Sequence, residues 1–373
     1  MASRSSLELR RQAGQLLVMG FDGAAISQRL RVMLDAFQPG GIIIFQRNLE
    51  DARQAHALLR EARKASATPM FLCVDMEGGT VDRLRDVIAP VPSAAEVAAA
   101  GSKKLFRKHG RLIAEELRAL GFNTDFAPVL DLKLGPSADV LTTRTVSANP
   151  KRTITYAREF LRGLRDGNVL GCGKHFPGLG EANLDTHAEL PSIAKSWKRL
   201  WKQDLLPYRQ LRRSLAFVMV AHAAYSQVSG DKLPASLSKK WMSGILRRRI
   251  GYRGLIIADD LDMGGVLAAA PIEEAAVATL RAGADMFLVC QKEESVRRAF
   301  EAVVKEAEKR KKFARLIAEK SQRVLDVKKK SKAMKARMAP PPALGTLQKL
   351  TRTIWEFSEE VRASSISMAG VGE

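Results

Sequence analysis

The chain has 373 residues, 46% of them hydrophobic, enough for one large core or two modest ones. Lysine and arginine number 61 against 40 acidic residues, a net charge of +21, yet aromatics are only 6% and no basic patch interleaved with aromatics stands out, which argues against a stacking platform for single-stranded nucleic acid. No stretch is long enough to span a bilayer, and the three cysteines (Cys73, Cys172, Cys290) form no CxxC pair, which argues against a disulfide framework.

The N-terminal stretch "MASRSSLELRRQAGQLLVMGFDG" is basic, but its apolar run is too short for a signal-peptide core. A soluble, cytoplasmic protein is expected. Short apolar runs then recur along the chain: "QLLVMGF" (15–21), "GGIIIF" (40–45), "FLCVD" (71–75), "TDFAPVLDL" (124–132), "VLGCGKHF" (169–176), "FVMVAHA" (217–223), "LIIADD" (255–260) and "DMFLVC" (285–290). Most are apolar almost throughout, as parallel strands covered on both faces are. Helix-like stretches separate them, including 51–66, 102–121 and 150–167, the last with Asn149 as N-cap and Pro150 at the first helical position. Eight strands alternating with helices predict an α/β fold, a (β/α)₈ TIM barrel. An open doubly wound sheet would want an early GxGxxG turn, and none is present.

Between Ala302 and Ala339 there are 14 basic and 4 acidic residues, so about +10 of the charge falls on one late stretch, expected to form a solvated helix face. A break at "APPPALG" (339–345) precedes a segment in which Leu347, Leu350, Ile354, Phe357 and Val361 recur at helical spacing. The organisation expected is a catalytic barrel over 1–332 and a Pro-containing linker with a C-terminal helical extension, docked on the barrel, over 333–373.

Chemistry in such barrels sits where strands end. Asp75, Asp131, Lys174 with His175, His222, and Asp259 with Asp260 close five of the eight runs. Adjacent Asp259 and Asp260 point to opposite sides of a strand, so at most one faces the barrel mouth. His222 lies in a very apolar run and taken alone reads as a hydrogen-bonded core histidine. His56 and His109 sit in helical patterns and are expected at the surface. His187 differs: it belongs to a Gly- and Pro-rich loop, "KHFPGLGEANLDTHAELP" (174–191), two residues after Asp185. A carboxylate and an imidazole so close can pair, the carboxylate orienting the ring and raising its pKa. An Asx-type turn beside an exposed histidine accounts for the loop equally well when it is taken alone.

Taken together these stretches resemble glycoside hydrolase family 3, in particular its single-domain bacterial β-N-acetylhexosaminidase branch, the NagZ type. The loop matches the pattern K-H-F-P-G-x-G-x-x-x-x-D-[ST]-H-x-x-x-P at every stated position. "GGIIIFQRN", "VDMEGGTVDRL", "GFNTDFAPVLDL" and "GYRGLIIADDLDM" support it, and the resemblance runs from about residue 12 to 330. It departs in Met76 for Gln, Ala258 for Ser, Leu179 for His, and "EA" for "DT" after Gly180. The resemblance implies a (β/α)₈ barrel and a retaining exo-β-N-acetylglucosaminidase. It implies Asp259 as nucleophile, His187 as general acid/base with Asp185 as its partner, and Asp75, Arg83, Arg144, Lys174 and His175 as the grip on the sugar. The implied substrate is a terminal β-linked N-acetylglucosamine, commonly on a 1,6-anhydro-N-acetylmuramic acid fragment of the cell wall. No cofactor or metal is implied, and despite the basic late stretch no nucleic acid partner is expected. Three alternatives stand beside this reading. They are a family 3 β-glucosidase, a metal-dependent barrel hydrolase using His175, His222 and Asp259, and a non-catalytic protein binding nucleic acid or an anionic surface.

Overall fold

A computed structural model of the chain describes residues 4–135, 141–182 and 190–369. Eight parallel strands close into a barrel. They are β1 (Leu17–Met19), β2 (Gly41–Ile44), β3 (Phe71–Val74), β6 (Thr124–Asp125), β7 (Leu170–Phe176), β8 (Phe217–Val220), β9 (Leu255–Asp260) and β10 (Met286–Val289), and β10 pairs back with β1. A hairpin, β4 (Met76–Gly78) with β5 (Val81–Asp82), rises antiparallel just beyond β3. Each predicted apolar run therefore holds one barrel strand. The run 124–132 is the shortest fit: its strand ends at Asp125, and Asp131, expected at a strand end, lies on irregular backbone beyond it. Pro128, which has no N–H to give a ladder, interrupts the pairing, and only an isolated bridge from Val129 to Lys174 resumes it.

The helices between strands begin and end where capping chemistry dictates. Asp51, Ser102 and Asn149 accept first-turn amides of the helices Ala52–Lys64, Lys103–Leu120 and Pro150–Asp166. The last two helices cross closely because glycines meet backbone. A Cβ on Gly110 would stand 2.1 Å from the Phe160 carbonyl oxygen, and one on Gly163 would stand 2.3 Å from that of Arg107. The three cysteines are free and buried, as small core residues.

Three expectations need correction. His56 and His109 are buried, not at the surface. His56 Nε2 lies 2.8 Å from the Ala339 carbonyl, and His109 sits beneath Phe357, so the C-terminal segment covers helix faces that would otherwise meet solvent. The late basic stretch is not wholly a solvated face. The helix Lys311–Lys330 turns Lys320 and Lys328 inward, where they donate to the Ala284 carbonyl (2.5 Å) and Gln15 Oε1 (2.7 Å). Finally, basic and aromatic residues do interleave, around Trp197 and Trp201. Arg249 lies over both rings and Arg209 over Trp201, so guanidinium groups occupy ring faces that a stacking base would need.

Candidate active site

A cavity of about 230 Å³ opens at the C-terminal ends of the strands. Asp75, Arg83, Arg144, Lys174, His175 and Asp259 all line it, so six side chains singled out in the sequence meet at one place. Asp185 and His187 fall within 183–189, outside the described residues; Ala182 lines the cavity.

The charge cluster is built around a carboxylate to which the sequence reading assigned no role. Glu77, 3% exposed, accepts two bonds from Arg144, Nε at 2.8 Å and Nη2 at 2.9 Å, and pairs with Lys174 Nζ at 2.6 Å. Lys174 also donates to Asp75 at 2.7 Å. Burial opposes ionisation of Glu77, but the two cations outweigh it and hold the carboxyl far below its usual range. Lys174 and Arg144 are correspondingly pushed up by their carboxylates against the cost of burial. The signal that could have found Glu77 is period two: in extended backbone, residues 75 and 77 point the same way.

His175 is oriented by Asp131, whose Oδ2 lies 2.7 Å from Nδ1 while Oδ1 accepts the Leu179 amide at 2.8 Å. With Nδ1–H donating, Nε2 is the ring position left for a ligand. Phe45 forms an apolar wall, with Arg47 and Arg83 against its ring.

On the opposite side β9 presents its two aspartates. Burial works against the charge of Asp259, but His175, His222, the Asp260 amide (2.9 Å from Oδ1) and Lys174 together hold its carboxyl below the ordinary value. Asp260 behaves oppositely: burial pushes it up to about 6, and its Oδ1 accepts the amides of Asp262 and Cys290 at 3.0 and 2.9 Å. Both line the cavity, against the expectation that at most one would, but they divide in role: Asp259 is held as an anion, and Asp260 ties down the loop that follows. His222 is a core histidine. Burial lowers its pKa, and its Nε2–H donates to the Asp260 carbonyl at 2.9 Å, with Nδ1 beside the Ser236 hydroxyl at 2.7 Å. Both ring nitrogens are committed, so His222 steadies the end of β9 and has none left for a metal.

The closed (β/α)₈ barrel carries its cluster of cations and carboxylates at the strand ends, where enzymes of this fold place their chemistry. Residues 8–327 match the glycosyl hydrolase family 3 N terminal domain, and the chain belongs to that family. It is a glycoside hydrolase. Among curated proteins it is similar to a β-hexosaminidase of Alkalilimnicola ehrlichii, 36% identical over 287 residues, covering 75% of this chain and 82% of the relative. The β-hexosaminidase of Pseudomonas aeruginosa is 36% identical over 288 residues, covering 77% and 86%. Among solved structures, a family 3 β-N-acetylglucosaminidase from Paenibacillus sp. str. FPU-7 superposes with a TM-score of 0.88 at 32% identity, covering 95% of this chain and 68% of that one. Native NagZ from Neisseria gonorrhoeae gives 0.73 at 28%, covering 96% and 98%. These relatives group the chain with the β-N-acetylhexosaminidases of the NagZ type.

Proposed function

We propose that the protein is a retaining exo-β-N-acetylglucosaminidase acting on cell-wall muropeptides, N-acetylglucosamine linked to 1,6-anhydro-N-acetylmuramic acid with or without peptide. The observation that carries this reading is Asp259, held ionised at a strand end and facing the cavity ringed by Asp75, Arg83, Arg144, Lys174 and His175. Those five take the sugar: charged donors and acceptors side by side suit hydroxyl groups, which both give and accept hydrogen bonds.

In the first step Asp259 attacks the anomeric carbon while protonated His187 gives its proton to the departing glycosidic oxygen, leaving a covalent glycosyl-aspartate. In the second, neutral His187 takes a proton from water, which displaces Asp259 and restores the starting configuration. Asp185 favours the protonated ring in the resting enzyme. Asp185 and His187 follow Ala182, on the cavity wall, by three and five residues, which supports their acting there. No metal or other cofactor enters these steps, and no nucleic acid is needed. The net charge of +21 suits an anionic substrate, and three free, buried cysteines suit a reducing cytoplasm. The same reading takes residues 1–332 as the catalytic barrel and 333–373 as a helical extension.

Nitrophenyl N-acetyl-β-glucosaminide compared with nitrophenyl β-glucoside tests the substrate class: the acetamido sugar should win by roughly 100-fold in kcat/KM, and a preference for glucoside would overturn the reading. His187→Ala should lose roughly 10²–10³ in rate on a poor leaving group and far less on nitrophenolate, which departs without a proton. Equal losses on both would remove His187 from the acid role.

A further inference from the structure

The helix Leu344–Ala369 lies wholly beyond the family match, which ends at residue 327, yet it is docked on the barrel. Ile354, Phe357 and Val361 are buried along one face. Phe357 stacks on His109, ring centroids 5.8 Å apart at 27°. Lys108 pairs with Glu360 at 2.5 Å, and the Thr351 hydroxyl donates to the Ile88 carbonyl at 3.3 Å.

At its Nε2 edge His109 meets the hairpin 76–83. A Cβ added to Gly78, the residue after Glu77, would come within 3.3 Å of His109 Nε2 and 2.2 Å of the Pro92 carbonyl oxygen. The imidazole therefore touches both elements, the C-terminal helix through its ring face and the hairpin backbone at its Nε2 edge. Tyr156 holds it from the side, its hydroxyl 2.9 Å from Nδ1. Burial keeps the ring neutral, its pKa down at about 3, so it acts as a spacer of one shape across the working pH range. The hairpin is tied to the segment that follows it: the Gly79 amide donates to the Val91 carbonyl (2.9 Å), and Asp82 accepts the amides of Leu84 and Val91 (3.0 and 2.8 Å). Glu77 and Arg83 ride on this unit, the one locking Arg144 and Lys174, the other lining the cavity.

We propose that the C-terminal helix is a brace for substrate binding: Phe357, acting through His109, positions the hairpin 76–83 and with it the cluster of Glu77, Arg144 and Lys174. Phe357 and His109 are positioning residues, not catalytic ones. The kinetic part of the claim rests on the cavity being the sugar site; the mechanical part does not.

The test is Phe357→Ala in the full chain, read in two ways. Hydrogen exchange needs no substrate. The amides of Gly79, Leu84 and Val91 should exchange about tenfold faster or more, while those of β8, across the barrel, keep their wild-type protection. In steady-state kinetics on nitrophenyl N-acetyl-β-glucosaminide, KM should rise about fivefold or more with kcat within about twofold, because the loss falls on binding and not on Asp259. Phe357→Leu should restore most of both. Wild-type exchange in the hairpin, or equal acceleration in every barrel strand, would overturn the brace. If Phe357→Ala does not fold, Glu360→Lys serves, with the same hairpin-limited exchange expected and its reversal in the Lys108→Glu, Glu360→Lys double variant; no change in either contradicts the proposal. Wild-type protein inactive on the hexosaminide, with Phe357→Ala still showing the hairpin-limited exchange, would refute the substrate and leave the brace standing.

Discussion

At the scale of single residues, the site is a set of charges that set one another's ionisation. Glu77 is the hinge of that set, because Arg144 and Lys174 both pair with it directly. Its folded pKa lies below the unfolded value, so its contribution is present above the ordinary carboxylate range and is lost only as pH falls through the depressed value. Glu77→Gln should remove the carboxylate that pairs with both Arg144 and Lys174, leaving Asp75 as the anion bonded to Lys174. The expected result is a KM about tenfold higher and a lower Tm, with a smaller change in kcat; unchanged KM in a folded variant would show that the cations hold their places without Glu77. The sequence held part of this. Carboxylates and cations at strand ends were legible because strand ends are where such barrels place chemistry, although Asp131, read with them, lies beyond the end of its strand. Glu77 was not read, because the hairpin that turns it toward Asp75 interrupts the strand–helix alternation on which the reading leaned.

At the scale of elements, the helix Lys311–Lys330 shows why a charge count misreads burial. Lys328 lies under the barrel with its Nζ 5.0 Å from the Phe71 ring centroid, and burial brings its pKa down to about 7. A lysine whose folded pKa is lowered binds fewer protons folded than unfolded between that value and the ordinary value of 10.5, so stability rises with pH across that window. Lys328→Met should raise Tm at neutral pH, about 2–4 °C for each kcal/mol gained, and flatten the rise between pH 7 and 10. Thermal melts at several pH values check this, and an undiminished slope would assign it to other groups. The helical segments themselves were legible, since caps such as Asp51, Ser102 and Asn149 mark their starts. Which face each helix buries was less so. The chain beyond residue 330 returns to help cover His56 and His109, and that return is a long-range event without a local signal.

At the scale of the whole molecule, the alternation of eight apolar runs with amphipathic stretches carried the barrel, because burial on both faces leaves parallel strands almost no polar positions except at their ends. The same pattern carried the cavity, since closure of the barrel brings those ends together. The central claim is that this cavity cleaves a β-linked N-acetylhexosamine through Asp259. The most direct test is covalent trapping with a 5-fluoro-N-acetylglucosaminyl fluoride, whose good leaving group lets the glycosyl-enzyme form while the fluorine slows its hydrolysis, followed by mass spectrometry of the peptides. The account predicts one equivalent of sugar on Asp259, absent from Asp259→Ala. A stable label on Asp260 or any other residue, or rapid turnover with the anomeric configuration inverted, would contradict it.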